Sequence, residues 1–222
     1  MVHINIICVG KIKEKFFNEA IKEYSKRLSR FCNCNIIEVP DEKIPDNCSY
    51  SVEEQIKEKE CLKIIANLKQ PCYNIALDLK GKQYDSIQFS KKLEDLSMTH
   101  STLNFIIGGS LGLSNHLLDL CNESICFSRM TFPHQLIRIF LLEQIYRSFK
   151  ILNNETCGKV VSKLIPTGLS NVLLGHLSKE NNFPELAYKT VAEEVLPKLN
   201  NDSDISLGVA KRTGAPTIIN IA

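Results

Sequence analysis

This 222-residue chain lacks a dominant charge: 27 Lys and Arg stand against 25 Asp and Glu, leaving a net +2 and a pI near 8.0. A field of that size does not force a nucleic-acid partner. Lys11, Lys13, Lys15, Lys26, Arg27 and Arg30 crowd the first helical segment, as either a local basic face or an ordinary solvated one. Paired cysteines are lacking too. Nine are scattered without any C-x-x-C, and an odd count behind no signal segment excludes a disulfide framework. Cys8 and Cys126 lie in apolar runs and read as small core residues, while Cys32-x-Cys34 has no partner pair with which to hold a metal. No apolar run approaches the roughly 20 residues of a membrane span, and the N-terminus has no h-region. The expectation is a cytoplasmic protein without a membrane partner.

With 44% apolar and 23% charged residues the composition is that of a globular protein, long enough for one full domain and an appendage. Strand-like and helix-like segments alternate. Strands are expected at His3–Val9, 35–39, 74–78, Thr102–Ile107 and 124–127, the third running into a Lys80-Gly-Lys82 turn. Helices are expected at 14–30, 52–68, 86–96 under a Ser86 cap, 114–121, and from Pro133 to about Leu152. Such alternation implies an α/β fold with a mainly parallel sheet flanked by helices. The last helix is apolar on most sides, through Leu136, Ile137, Phe140, Leu141, Ile145 and Phe149, and so needs a second partner that a homodimer supplies most simply. Beyond Asn154 a strand at 171–174, a helix at 184–199 and a strand at 205–210 are expected, with too few apolar residues for a core of their own.

The chemistry concentrates in two stretches. Phe105-Ile-Ile-Gly-Gly-Ser-Leu-Gly-Leu113 ends an apolar strand in glycines, and Phe127-Ser-Arg-Met-Thr-Phe-Pro-His134 ends another in a hydroxyl-bearing loop. Glycine lets a backbone approach a ligand closely. The first stretch fits neither the dinucleotide pattern G-x-G-x-x-G nor a G-K-[ST] phosphate loop. Leu77, Gly108 and Phe127 stand at strand carboxyl ends, where open α/β sheets bind ligands, and an adenine could pack there against main-chain groups. His134 and Arg138 share one helical face. Arg138 reaches out to a ligand, or else pairs with Glu143 or across a dimer. His134 serves the reaction or bonds locally to its loop.

Five motifs in order carry a resemblance: Val9-Gly-Lys11, Ile36-Ile-Glu-Val-Pro-Asp-Glu42, Leu77-x-x-x-Gly81, Ile106-Ile-Gly-Gly109 with Gly112-Leu113, and Met130-Thr-Phe-Pro-His134. The helix Arg138…Leu142-Glu-Gln-Ile-Tyr-Arg147-Ser-Phe-Lys150 follows. Residues 1–153 closely resemble the RlmH group of SPOUT methyltransferases. The resemblance implies a SPOUT fold with a C-terminal trefoil knot, a homodimer, and S-adenosyl-L-methionine held in the knot. It also implies N3 methylation of a pseudouridine in the 23S ribosomal RNA, on the assembled 70S ribosome. Carried over by position, the cofactor contacts are Leu77, Gly108, Gly109, Phe127, Ser128, Arg129, Met130, Thr131 and Phe132, with Arg138 and His134 as candidate catalytic residues, Arg138 being expected to meet an RNA phosphate or the base's carbonyl.

Where that group ends in a Tyr-His pair beside the methyl-transfer site, this chain has Cys157-Gly158 and runs on. Two functions stay open: a methyltransferase impaired by the loss of that pair, or an inactive S-adenosylmethionine- or ribosome-binding protein. Residues 154–222 resemble the end of a YycJ-type metallo-β-lactamase-fold hydrolase, through Asn154-Glu-Thr-Cys-Gly158, Gly175-His-Leu-Ser-Lys-Glu-Asn-Asn182 and Pro184-Glu-Leu-Ala187. The resemblance puts His176 at a metal centre. The chain holds no H-x-H-x-D-H, however, and one histidine cannot hold a catalytic zinc, so no metal is expected. The joined sequence reads as a gene fusion whose tail, poorly folded, is a passenger.

Overall fold

A computed structural model describes residues 1–68, 71–175, 184–199 and 205–210, and the backbone of 217–221. The chain divides into two compact units, Met1–Tyr146 and Arg147–Ala222.

The first unit is built on five strands: β1 (His3–Val9), β2 (Asn33–Val39), β3 (Tyr73–Gln83), β4 (Thr102–Ile107) and β5 (Glu123–Cys126). They lie in the order β2-β1-β4-β3-β5, every pairing parallel. Parallel neighbours need crossovers, supplied by α1 (Lys15–Leu28), α2 (Tyr50–Ile65), α3 (Ser86–Thr99) and α4 (Asn115–Asp119). Side chains alternate across a strand, so consecutive residues serve opposite layers. Ile106 joins Ile7, Val9, Val39, Cys61, Ile64 and Leu117 in a buried layer under α2 and α4. Its neighbour Phe105 meets Phe89 of α3, ring centroids 6.3 Å apart.

A row of amides crosses this apolar sheet. Asn35 donates to Asn5 (3.3 Å), Asn5 to Asn104 (2.9 Å) and Asn104 to Asn74 (2.9 Å). Each partner stands directly opposite the next across β2, β1, β4 and β3. Asn74 and Asn104 are buried, so every amide that the ladder satisfies there avoids the penalty of a lost hydrogen bond.

Two elements differ from expectation. The Lys80-Gly-Lys82 segment is not a turn that ends its strand. β3 continues to Gln83 and pairs β5 twice, through Leu77 with Ile125 and again through Lys82 with Ile125, across a register shift. Gly81 makes this possible, because a Cβ there would lie 2.6–2.7 Å from the backbone of Ile125 and Ser124. The helix expected to close near Leu152, α5, spans His134–Leu164. Nothing after Leu152 breaks it until Pro166; Gly158 costs only about 1 kcal/mol in a helix interior.

α5 therefore runs through the division between the units at Tyr146 and Arg147, which falls before the expected 153/154 boundary, and on to Leu164 in the second unit. There a three-stranded sheet is ordered β6 (Asn171–Leu174), β7 (Ile205–Val209), β8 (Thr217–Ile221), with α6 (Pro184–Val195) alongside. β8 went unpredicted. The tail does assemble a core: Val161, Leu174, Ala187, Val191, Ala192, Val195, Ile205 and Leu207 are buried together. The extended α5 is what completes it, since Val161 comes from that helix and Ser162 Oγ donates to the Glu194 carbonyl (2.6 Å). His176 lies outside the described residues.

Candidate functional site

Because all five strands run the same way, their carboxyl ends share one edge of the sheet. β1 connects outward to β2, and β4 connects the other way to β5, so strand order reverses between β1 and β4. Open sheets bind ligands at the carboxyl end of such a switch point. Val9-Gly10 and Ile107-Gly108 flank it here.

The glycine turn after β4 is tightly closed. Gly112 N–H donates to the Gly109 carbonyl (3.1 Å), and a Cβ on Gly108 would sit 2.7 Å from the Gly112 backbone. Gly112 itself holds φ +83°, a left-handed conformation natural to glycine, with open space where a side chain would be. Gly109 packs against Val9 and the carboxylate of Glu60, whose Oε2 would lie 3.0 Å from an added Cβ. Glu60 is buried and accepts the Glu42 N–H (3.0 Å); burial pushes its carboxyl up from the ordinary range.

The second loop follows β5. Leu77 stands opposite both Ile107 and Ile125, level with the strand ends that lead into Gly108 and Phe127; contrary to expectation it does not end its own strand, since β3 runs on to Gln83. Phe127, Ser128 and Phe132 line a cleft of about 430 Å³ with Tyr84, Ser86, Phe89, Phe140 and Gln144. Leu77, Gly108 and Gly109 do not line it, nor do Arg129, Met130 and Thr131, which share the loop. Met130 is exposed, and Ser128 Oγ accepts its N–H at 3.0 Å. Phe132 meets Phe140 edge-on at 5.4 Å and Phe127 meets Phe89 at 6.3 Å, giving the cleft aromatic walls. A neutral heterocycle could stack on such walls without any charged partner.

Arg138 does not face outward. Its side chain is fully buried; Nη1 donates to Glu38 Oε1 (2.9 Å), and Nη2 donates to the carbonyls of Val9 (2.7 Å) and Gly10 (2.8 Å). This corrects the expectation of an RNA contact and of a pair with Glu143: the carboxylate it meets lies 100 residues earlier. Glu38 Oε1 also accepts the Ile12 N–H at 3.1 Å, so the pair fixes the chain on both sides of Gly10. His134 is half-buried with Nε2 close over Gly10. Burial foremost, and then the Arg138 charge, hold its imidazole below the ordinary range against the opposing pull of Asp41 and Glu14.

Ser86 is not the cap of α3. Asp85 accepts the Gln88 N–H (2.7 Å) and Gln88 reciprocates to the Asp85 N–H (3.1 Å), which frees Ser86 to donate to Gln144 in the cleft (2.9 Å). The Asp-x-x-Gln spacing was the signal for that box. For Glu38 and Glu60 no local signal exists, because their partners are remote in sequence.

A parallel sheet flanked by helices, with a glycine turn and a hydroxyl-bearing loop past the ends of β4 and β5, defines an α/β protein with the strand edge at which such folds bind ligands. A family model described as "Predicted SPOUT methyltransferase" matches residues 2–156, and the chain belongs to that methyltransferase family. It is similar to "Ribosomal RNA large subunit methyltransferase H" of Clostridium tetani, 56% identical over 155 residues that make 69% of this chain and 98% of that protein. The protein of the same name from Clostridium botulinum is 57% identical, and "Ribosomal RNA large subunit methyltransferase H 1" of Clostridium perfringens 53%, each over the same shares. Among solved structures, the SpoU methyltransferase AviRb from Streptomyces viridochromogenes aligns over 65% of this chain and 59% of that one, at 14% identity and a TM-score of 0.35. No helix among the described residues is long and apolar enough to cross a membrane.

Proposed function

We propose that residues 1–153 form an S-adenosyl-L-methionine-dependent methyltransferase that modifies N3 of a pseudouridine in large-subunit ribosomal RNA, on the assembled ribosome and as a homodimer. The observation that carries this reading is the match to relatives named for large-subunit ribosomal RNA across 98% of their length, at 53–57% identity. The reading includes the group's C-terminal trefoil knot around the cofactor loops.

The residues present suit such a cofactor. The open space above Gly112 and the exposed backbone of the glycine turn can receive an adenosine, and Phe127 with Phe132 offers apolar walls. A cleft of this size falls within the ~300–1,000 Å³ of small-molecule sites. When bound, the sulfonium supplies a methyl group already activated toward in-line displacement. What remains for the protein is to align the base, keep water out and accept the N3 proton. Arg138 and Glu38 hold the β1 end that borders the switch point. His134, kept neutral by burial, can accept a proton there.

A second reading, an inactive cofactor- or ribosome-binding protein, is favoured by one feature. Where the group has its terminal Tyr-His, Cys157 and Gly158 lie inside the continuous helix α5. Calorimetry with S-adenosylmethionine beside methyl transfer to ribosomes lacking the mark separates the two. Binding with turnover supports the enzyme, binding without turnover an inactive cofactor-binding protein, and no binding defeats both of these and leaves ribosome binding alone. Restoring the pair by Cys157→Tyr and Gly158→His, with the chain ended after Lys159, is expected to recover turnover.

We read residues 154–222 as a hydrolase remnant joined by gene fusion, supported by the family match ending at 156. Sequencing the genomic locus tests it: two intact separate genes there would refute a fusion.

A further inference from the structure

Outside the loops described above, three side chains of metal-binding chemistry converge in the first unit. Glu58 and Cys61 lie three apart on α2 and so share one face of that helix. His116, in the first turn of α4, meets both. Its Nδ1 is 2.5 Å from Glu58 Oε1 and 3.9 Å from Cys61 Sγ, and all three donor atoms lie within 4.8 Å of one another. Cys61 is buried while Glu58 and His116 reach solvent, so the sulfur forms the floor of a site whose mouth is open.

We propose that Glu58, Cys61 and His116 bind one zinc-like divalent cation, with water completing the coordination. Bonds of about 2.3 Å to sulfur and about 2.0–2.2 Å to nitrogen and oxygen, arranged tetrahedrally, set donor separations of about 3.5 Å for N···S and about 3.4 Å for N···O. The present separations need to close by about 0.4 Å and open by about 0.9 Å, within the reach of two exposed side chains. The donor set also selects: thiolate and imidazole favour zinc or cobalt over magnesium or calcium. The Cys61 thiol gives up its proton on binding, while His116 ligates through Nδ1. The cation would tie α2 to α4, the helix into which the glycine turn at 108–112 leads, and so would brace that turn from outside.

The test uses the intact chain, stripped by chelator under reducing conditions and titrated with cobalt(II). The expected result is one equivalent bound, with a thiolate-to-cobalt charge-transfer band in the near ultraviolet and the intense visible absorption of a tetrahedral ion. Zinc should displace it. Cys61→Ser should abolish the charge-transfer band, and Glu58→Gln, at an exposed position, should weaken binding at least tenfold without disturbing the fold. Cys157→Ser, at an exposed cysteine elsewhere, should leave the spectrum unchanged. A band that survives Cys61→Ser, or binding indifferent to Glu58→Gln, or no uptake at micromolar cobalt, would overturn the site.

Discussion

The two units of this chain hold themselves together by different means. In Met1–Tyr146 the apolar layers are threaded by buried polar groups with defined partners: the asparagine row, the inward Arg138 with Glu38, and Glu60 beside Gly109. In Arg147–Ala222 the described core is aliphatic and small, closed by Val191, Val195, Ile205 and Leu207. Buried polar groups are unforgiving, because removing one partner strands the other, whereas an aliphatic core loses stability in proportion to the volume removed. The first unit can therefore hold loops in one geometry, and the second need only stay compact.

The largest effect is expected from Arg138→Met. It leaves the Val9 and Gly10 carbonyls and a partly buried Glu38 without their donor, and should cost about 3–5 kcal/mol by urea unfolding, with cofactor affinity lost alongside. Next comes Leu207→Ala, which should destabilise the second unit by about 2–4 kcal/mol. S-adenosylmethionine affinity should stay within a factor of two; a parallel loss of binding would show that the contrast between the units is not one of separate stabilities. Third is a pair of glycines. Gly81→Ala drives a methyl into the β5 backbone and should cost about 2–3 kcal/mol. Gly158→Ala would set its methyl 2.7 Å from Glu194 Cβ, an atom fixed to its own helix, but recovers helix propensity, so its net cost should be smaller, about 1–2 kcal/mol. Equal effects on thermal midpoints would erase the difference.

The smallest effect concerns His134. Its imidazole ionises below the ordinary range when folded, so the unfolded chain takes up the proton first as pH falls. The stability it contributes is whole above pH ~6.5, the unfolded value, and is lost as pH falls through the lower folded value. Urea midpoints at pH 7.5 and 5.5 should diverge less in His134→Gln than in the parent chain.

What the sequence disclosed was what local pattern encodes. Thr102–Ile107 is five apolar or β-branched residues about Asn104, cut off by Gly108, and both ends of that strand were legible. So was the placing of Gly108 and Phe127 just past strand ends, whereas Leu77 lies within β3. The strand order was not, because nothing local specifies that β5 lies beyond β3. Lys80-Gly-Lys82 read as a turn because Gly81 there serves a close backbone crossing instead of a reversal. The inward direction of Arg138 depends on Glu38, and no spacing rule joins residues so far apart. Asp85 could have been found, since its partner Gln88 is three residues away.

The asparagine row has a consequence for the ligand edge. Asn5, Asn104 and Asn74 stand level across three strands, and a few residues downstream come Gly10 and Gly108, where β1 and β4 end, and Leu77, where the β3–β5 register shifts. A strand displaced by one residue would bury a lone amide among aliphatic side chains and leave its neighbours' amides unanswered. The row thus works as a ruler: by forbidding such slippage in the middle of the sheet, it sets the height at which every rim loop departs.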